Sequence, residues 1–196
     1  MSILCNIYNN CFDLGEYLQD HYIEAIVCIS NNQEYNDFRI FKLVKTFLKL
    51  FENTNIYKSY KIMSLIDVDF YFLLLESDNY KSIGYVLDII SICSNIFPNY
   101  FREISFELWG KLILNYNNYP LENKSKIINC LAFLLNPNLK LSNDILFDPN
   151  LVEIISDHLH LQIFEDCVNL LFILQTLIYI NNIKERDKIK RIVKRI

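Results

Sequence analysis

The sequence predicts an all-α fold, and three observations carry that reading. Glycine and proline number only three and four in 196 residues, too few for the tight turns of a turn-dense β fold. Apolar residues recur at three- and four-residue steps in segments of helical length, the spacing that puts them on one helix face. The strict alternation of a half-buried strand is absent.

The helical segments follow from short polar breaks. Ser30-Asn31-Asn32, Asn53-Thr54-Asn55, Ser77-Asp78-Asn79, Pro98-Asn99, Asn115 to Pro120, Pro137-Asn138, Asp148-Pro149-Asn150 and Asn181-Asn182 punctuate the chain. Between them the stripes are Ile40, Leu43, Phe47 and Leu50; Ile83, Val86, Ile90 and Cys93; Ile127, Leu131 and Leu134; and Phe164, Val168, Leu171, Leu174 and Ile178. Alanine, the best helix former, occurs only at Ala25 and Ala132 while Ile and Asn abound. Isolated helices of this composition are weak, so packing must hold them.

Four of these segments align. Thr46, Asp88, Asn129 and Asn169 each sit in an apolar, variable, polar, apolar, apolar frame, and lie 42, 41 and 40 residues apart. Seven residues after each comes Asn53, Asn95, Asn136 or Thr176. Seven residues are about two helical turns, so both polar positions share one face. Earlier helices align too: Phe70, Leu73 and Leu74 with Trp109, Leu112 and Ile113, and with Leu151, Ile154 and Ile155.

A helical period near 41 residues is the mark of stacked helical repeats. On these residues the chain, over roughly residues 12–181, resembles the armadillo-like (armadillo/HEAT) family. The resemblance implies a right-handed superhelix, an α-solenoid, of about four repeats whose stack supplies one continuous core. It also implies a concave groove lined by the last helix of each repeat, where an Asn ladder holds the backbone of an extended peptide. Asn53, Asn95 and Asn136 look like that ladder, and Ile92-Cys93-Ser94-Asn95-Ile96 is the best local match. Importin-alpha-type repeats place Trp four residues before the ladder Asn; here those positions hold Lys49, Ser91, Ala132 and Phe172. The aromatic slots for Lys side chains are therefore missing. The candidate peptide-binding residues are Asn53, Asp88, Ser91, Asn95, Asn129, Asn136, Asn169 and Phe172, against the alternative that these are plain solvated helix positions.

Nothing in the sequence points to catalysis. No G-x-S-x-G elbow or reactive-Cys signature occurs, and so few glycines argue against a phosphate-cradling loop. Asp13 with Glu16, and Glu165 with Asp166, fit solvated faces and helix starts. The cluster Asp157-His158-Leu159-His160 lacks metal-ligand spacing and fits an inter-helix corner. The six cysteines, Cys5, Cys11, Cys28, Cys93, Cys130 and Cys167, form no C-x-x-C pair, so free, mostly buried thiols are expected. No catalytic residue, metal or cofactor is expected.

The expectation is one armadillo-like domain, residues 1–182, followed by a basic helix or tail, 183–196. That tail carries a net +5 and the remainder −9. An acidic body favours a basic or neutral protein segment as partner and repels nucleic acid. The tail serves as an end cap, or docks on the acidic body or an acidic partner. The Leu170–Ile180 run is too short to span a bilayer. With no signal peptide and unpaired cysteines, the expected location is the cytoplasm or the nucleus. The expected function is that of a non-catalytic adaptor or scaffold; the alternative is a structural subunit of a larger assembly or homo-oligomer.

Overall fold

The computed structural model describes residues 20–31, 37–52, 54–97, 105–135, 149–160 and 164–180. All regular structure among them is helical. The chain divides into two compact units, residues 1–96 and 97–196.

The described helices of the first unit are α1 (Asp20–Ser30), α2 (Phe38–Glu52), α3 (Ile56–Leu65), α4 (Val68–Leu74) and α5 (Tyr80–Ile96). The starts of α3 and α5 fall at the polar breaks 53–55 and 77–79, while α4 starts after Asp67, which none of those breaks marks; in all three an Asn or Asp side chain satisfies one of the first orphan N–H groups of the helix. Asn55 accepts from the Lys58 amide at 3.1 Å and Asp67 from the Phe70 amide at 3.1 Å. Asn79 accepts from the Ser82 amide at 3.2 Å. The main packing is α2 against α5, with α1 and α3 against α2 and α4 against α5. Ile40, Leu43 and Phe47 of α2 are buried with Ile83, Val86, Ile90 and Cys93 of α5, as their spacing predicts, while Leu50 at the end of the α2 stripe is only half-buried. Each of the buried Ile, Leu, Val and Phe side chains contributes about 1.5–3 kcal/mol by leaving water.

Asn31 ties the connections together. Its amide Nδ2 donates to the Leu65 carbonyl at 2.6 Å, and its Oδ1 accepts from the Asp67 amide at 3.1 Å. One side chain thus closes the turn between α3 and α4 from the end of α1. Deeper in, the Ser30 and Tyr71 hydroxyls bond at 3.0 Å, and the Tyr71 ring meets Phe41 edge-on.

The described helices of the second unit are α6 (Ser105–Asn115), a 3-10 turn (Tyr116–Asn118), α7 (Leu121–Leu134), α8 (Pro149–His160) and α9 (Phe164–Ile180). The main packing is α7 against α9, with α6 against α7 and α8, and α8 against α9. Trp109, Leu112, Ile113, Ile127, Leu131, Leu134, Leu151, Ile154 and Ile155 are buried.

On α9 the predicted face is wrong. Leu174 is buried as expected, but Phe164 is 83% exposed and Val168 and Leu171 are also exposed; Leu170 and Ile173 are buried instead. The five residues Leu170 to Leu174 are all apolar, so periodicity selects no face there. Asp166 decides it, because its carboxylate turns inward to the partners described below. The side chain of Ile178 and the tail 183–196 lie outside the described residues.

Candidate functional site

The aligned polar positions fall on two helix pairs. In the first unit α2 and α5 run parallel, and three contacts join them in order. The rings of Phe38 and Tyr85 stack at 6.4 Å. Lys45 pairs with Asp88 at 2.6 Å. The Asn95 amide donates to Glu52 at 3.1 Å. Phe38, Lys45 and Glu52 follow one another at seven-residue steps on α2, which keeps them on one stripe. Lys42 and Lys49 interleave there, and Lys49 reaches Glu52 at 3.1 Å. On α5 the matching stripe is Lys81, Tyr85, Asp88, Ser91 and Asn95. Two lysines lie over its aromatic end: Lys81 is 5.2 Å from the Phe38 ring centre and Lys45 is 5.6 Å from that of Tyr85.

In the second unit α7 and α9 also run parallel, and Asn169 donates its amide N–H to the Asn129 carbonyl oxygen. Phe172, 44% exposed, lies one turn after Asn169, and the exposed Phe133 lies one turn after Asn129. The Asn pair is thus followed by an exposed phenyl ring on each helix.

Of the eight candidate residues, Asp88, Ser91 and Asn95 share one face of α5. Asn129, Asn169 and Phe172 share the α7–α9 surface. Asn53 and Asn136 lie outside the described residues. Thr46 and Thr176 turn their hydroxyls back onto their own helices, to the Lys42 and Phe172 carbonyls. The sequence reading missed the α2 partners, Lys45 and Glu52. Their signal was present: each stands 43 residues before its α5 partner, close to the repeat spacing already found.

The second unit also holds a buried polar cluster that corrects two expectations. His158 is no corner residue, since it lies on α8 with 0% exposure, and Asp166 is not solvated, at 2%. Asp166 accepts from His158 Nε2 at 2.9 Å and from Ser125 Oγ at 2.7 Å. The Tyr116 hydroxyl bonds His158 Nδ1, and Lys124 lies 4.9 Å above the Tyr116 ring. Burial holds His158 below the usual histidine range, the neighbouring Asp166 opposing it. Burial, with Asp157 and Asp166 nearby, pushes Tyr116 up. A neutral imidazole donating from Nε2 and accepting at Nδ1 satisfies every one of these bonds.

The cluster contains Ser, His and Asp, but not in a nucleophile's arrangement. Both imidazole nitrogens are engaged by Tyr116 and Asp166, so neither faces Ser125 to take its proton. Its chemistry is that of a staple joining the 3-10 turn, α7, α8 and α9.

Cys93 and Cys130 are buried free thiols, Cys28 is exposed, and Cys167 is half-buried. Burial pushes the Cys93 thiol up. Cys5 and Cys11 lie outside the described residues. Among the described residues, no group of three or more His, Cys, Asp or Glu side chains could hold a metal ion, and no helix is long and apolar enough to cross a membrane. No family model, curated protein or solved structure matches the chain.

Proposed function

We propose that this chain is a non-catalytic adaptor, built of armadillo/HEAT-like helical repeats, that binds protein segments on the polar face of α2–α5 in its first unit and on that of α7–α9 in its second. The observation that carries this reading is a recurrent offset. Six side-chain hydrogen bonds join residues 40–43 positions apart: Ser30–Tyr71, Lys45–Asp88, Glu52–Asn95, Tyr116–His158, Ser125–Asp166 and Asn129–Asn169. The sequence period near 41 therefore reappears as a contact spacing within each unit, as stacked repeats require.

The faces suit backbone recognition. An Asn amide can donate to a peptide C=O and accept from a peptide N–H at once. Asn31 already grips the backbone in this bidentate way inside the first unit. Replacing Asn95 and Asn136 together with Ala is expected to weaken partner binding by about 1–3 kcal/mol. A folded double variant that binds its partner unchanged overturns the groove.

The exposed Phe164, Val168, Leu171 and Phe172 of α9 favour a second reading, a structural subunit that buries this surface in a larger assembly. Light scattering separates the two. A monomer supports the adaptor; a stable dimer or larger species supports the subunit.

A further inference from the structure

We infer that the α2–α5 face selects an acidic protein segment, with its selectivity concentrated at the Phe38–Tyr85 end; this rests on the adaptor reading above. The face carries four lysines, Lys42, Lys45, Lys49 and Lys81, and two carboxylates, Glu52 and Asp88. Both carboxylates are spoken for, Asp88 by Lys45 at 2.6 Å and Glu52 by Lys49 at 3.1 Å. Among the described residues, Lys42 and Lys81 take part in no ion pair. The face therefore keeps two uncompensated positive charges while the whole chain carries −4.

Local charge governs here and reverses the basic or neutral preference expected from the acidic chain as a whole. At physiological salt the Debye length is about 8 Å, so a docked segment feels the lysines it touches far more than distant carboxylates. Both excess charges lie toward the helix starts, where the parallel α2 and α5 both present the positive end of their dipoles. The neighbouring Arg39 is cancelled by Asp37, with which it pairs at 2.6 Å. The stacked Phe38 and Tyr85 rings add an aromatic platform beside the lysines. That platform suits an apolar side chain flanked by carboxylates. The two excess charges sit at one end of the face, too few to neutralise a continuous run of phosphates, which favours a short acidic peptide over nucleic acid.

The test is selection of a random 12-residue peptide library on the full chain, with binding of the selected peptides measured on Lys42→Glu/Lys81→Glu and on Asn95→Ala. Circular dichroism checks that the variants fold. Enriched peptides that are acidic, and that bind the double charge variant at least tenfold more weakly, support the inference. Acidic peptides that bind the charge variant unchanged overturn it. Enriched peptides that are neutral or basic, and that Asn95→Ala weakens, also overturn it while leaving the adaptor reading standing. A library that yields no binder overturns both. A 20-nucleotide single strand that binds more tightly than any selected peptide, and is lost in the charge variant, overturns it in favour of nucleic acid.

Discussion

His158 donates a hydrogen bond from Nε2–H to the Asp166 carboxylate across 2.9 Å, with both side chains out of water. Burial disfavours charging this imidazole in the folded chain, against the opposing pull of Asp166. In the unfolded chain His158 takes a proton near the ordinary value of about 6.5, whereas in the folded chain burial holds its pKa below that. Below that pH the unfolded state binds more protons, so stability falls as pH falls. The slope from this one group cannot exceed about 1.4 kcal/mol per pH unit. Urea midpoints at pH 7.5, 6.5 and 5.5 should decline, and His158→Gln should flatten the decline. An equal decline in the variant would show that other groups cause it.

Asn31 supports the α3–α4 turn with both ends of its amide. Asn31→Ala strands the Leu65 carbonyl and the Asp67 amide. The expected loss is about 1–3 kcal/mol in chemical denaturation. Asn31→Asp should recover little, because a carboxylate accepts from Asp67 but cannot donate to Leu65. Full recovery by Asp would contradict the two-bond account.

Gly110 sits inside α6 with nothing within 4 Å of where a Cβ would stand. Glycine in a helix interior costs about 0.5–1 kcal/mol relative to alanine. Gly110→Ala should raise the melting temperature of the full chain. An unchanged or lower value would mean that the position needs its glycine for another reason.

The thiols should divide by burial. Cys93 and Cys130 are enclosed and Cys28 is open to solvent, and an alkylating reagent reaches a thiol only where solvent does. Brief native alkylation followed by peptide mapping should label Cys28 first and leave Cys93 and Cys130 until denaturant is added. Early labelling of Cys93 would contradict its burial.

The helical class, the breaks before α3 and α5 and most of the core were legible because each rests on a local rule; the break at Asp67 between α3 and α4 was not. Asn55 and Asn79 cap helices for reasons visible within four residues of each. The α5 face was legible because polar residues separate its apolar ones. The α9 face was not, since Leu170 to Leu174 offer apolar side chains almost all round. What turns that helix is Asp166, whose partners His158 and Ser125 lie eight and 41 residues away. A buried Asp reads in sequence like a solvated one, and only the convergence of three elements distinguishes them. At the candidate site the polar positions were legible by register. The 43-residue spacing of Lys45 and Asp88 hints at their pairing, but only the docking of α2 on α5 turns that spacing into a contact.

The central claim is that the α2–α5 and α7–α9 faces bind a partner. Photo-crosslinking inside cells tests it most directly, with benzoylphenylalanine placed singly at Lys49, Ser91 and Phe172, and at Tyr57 on α3 as the control. The account predicts one shared crosslinked partner from the first three positions and none from Tyr57. Crosslinks from Tyr57, with none from Lys49, Ser91 or Phe172, would contradict it.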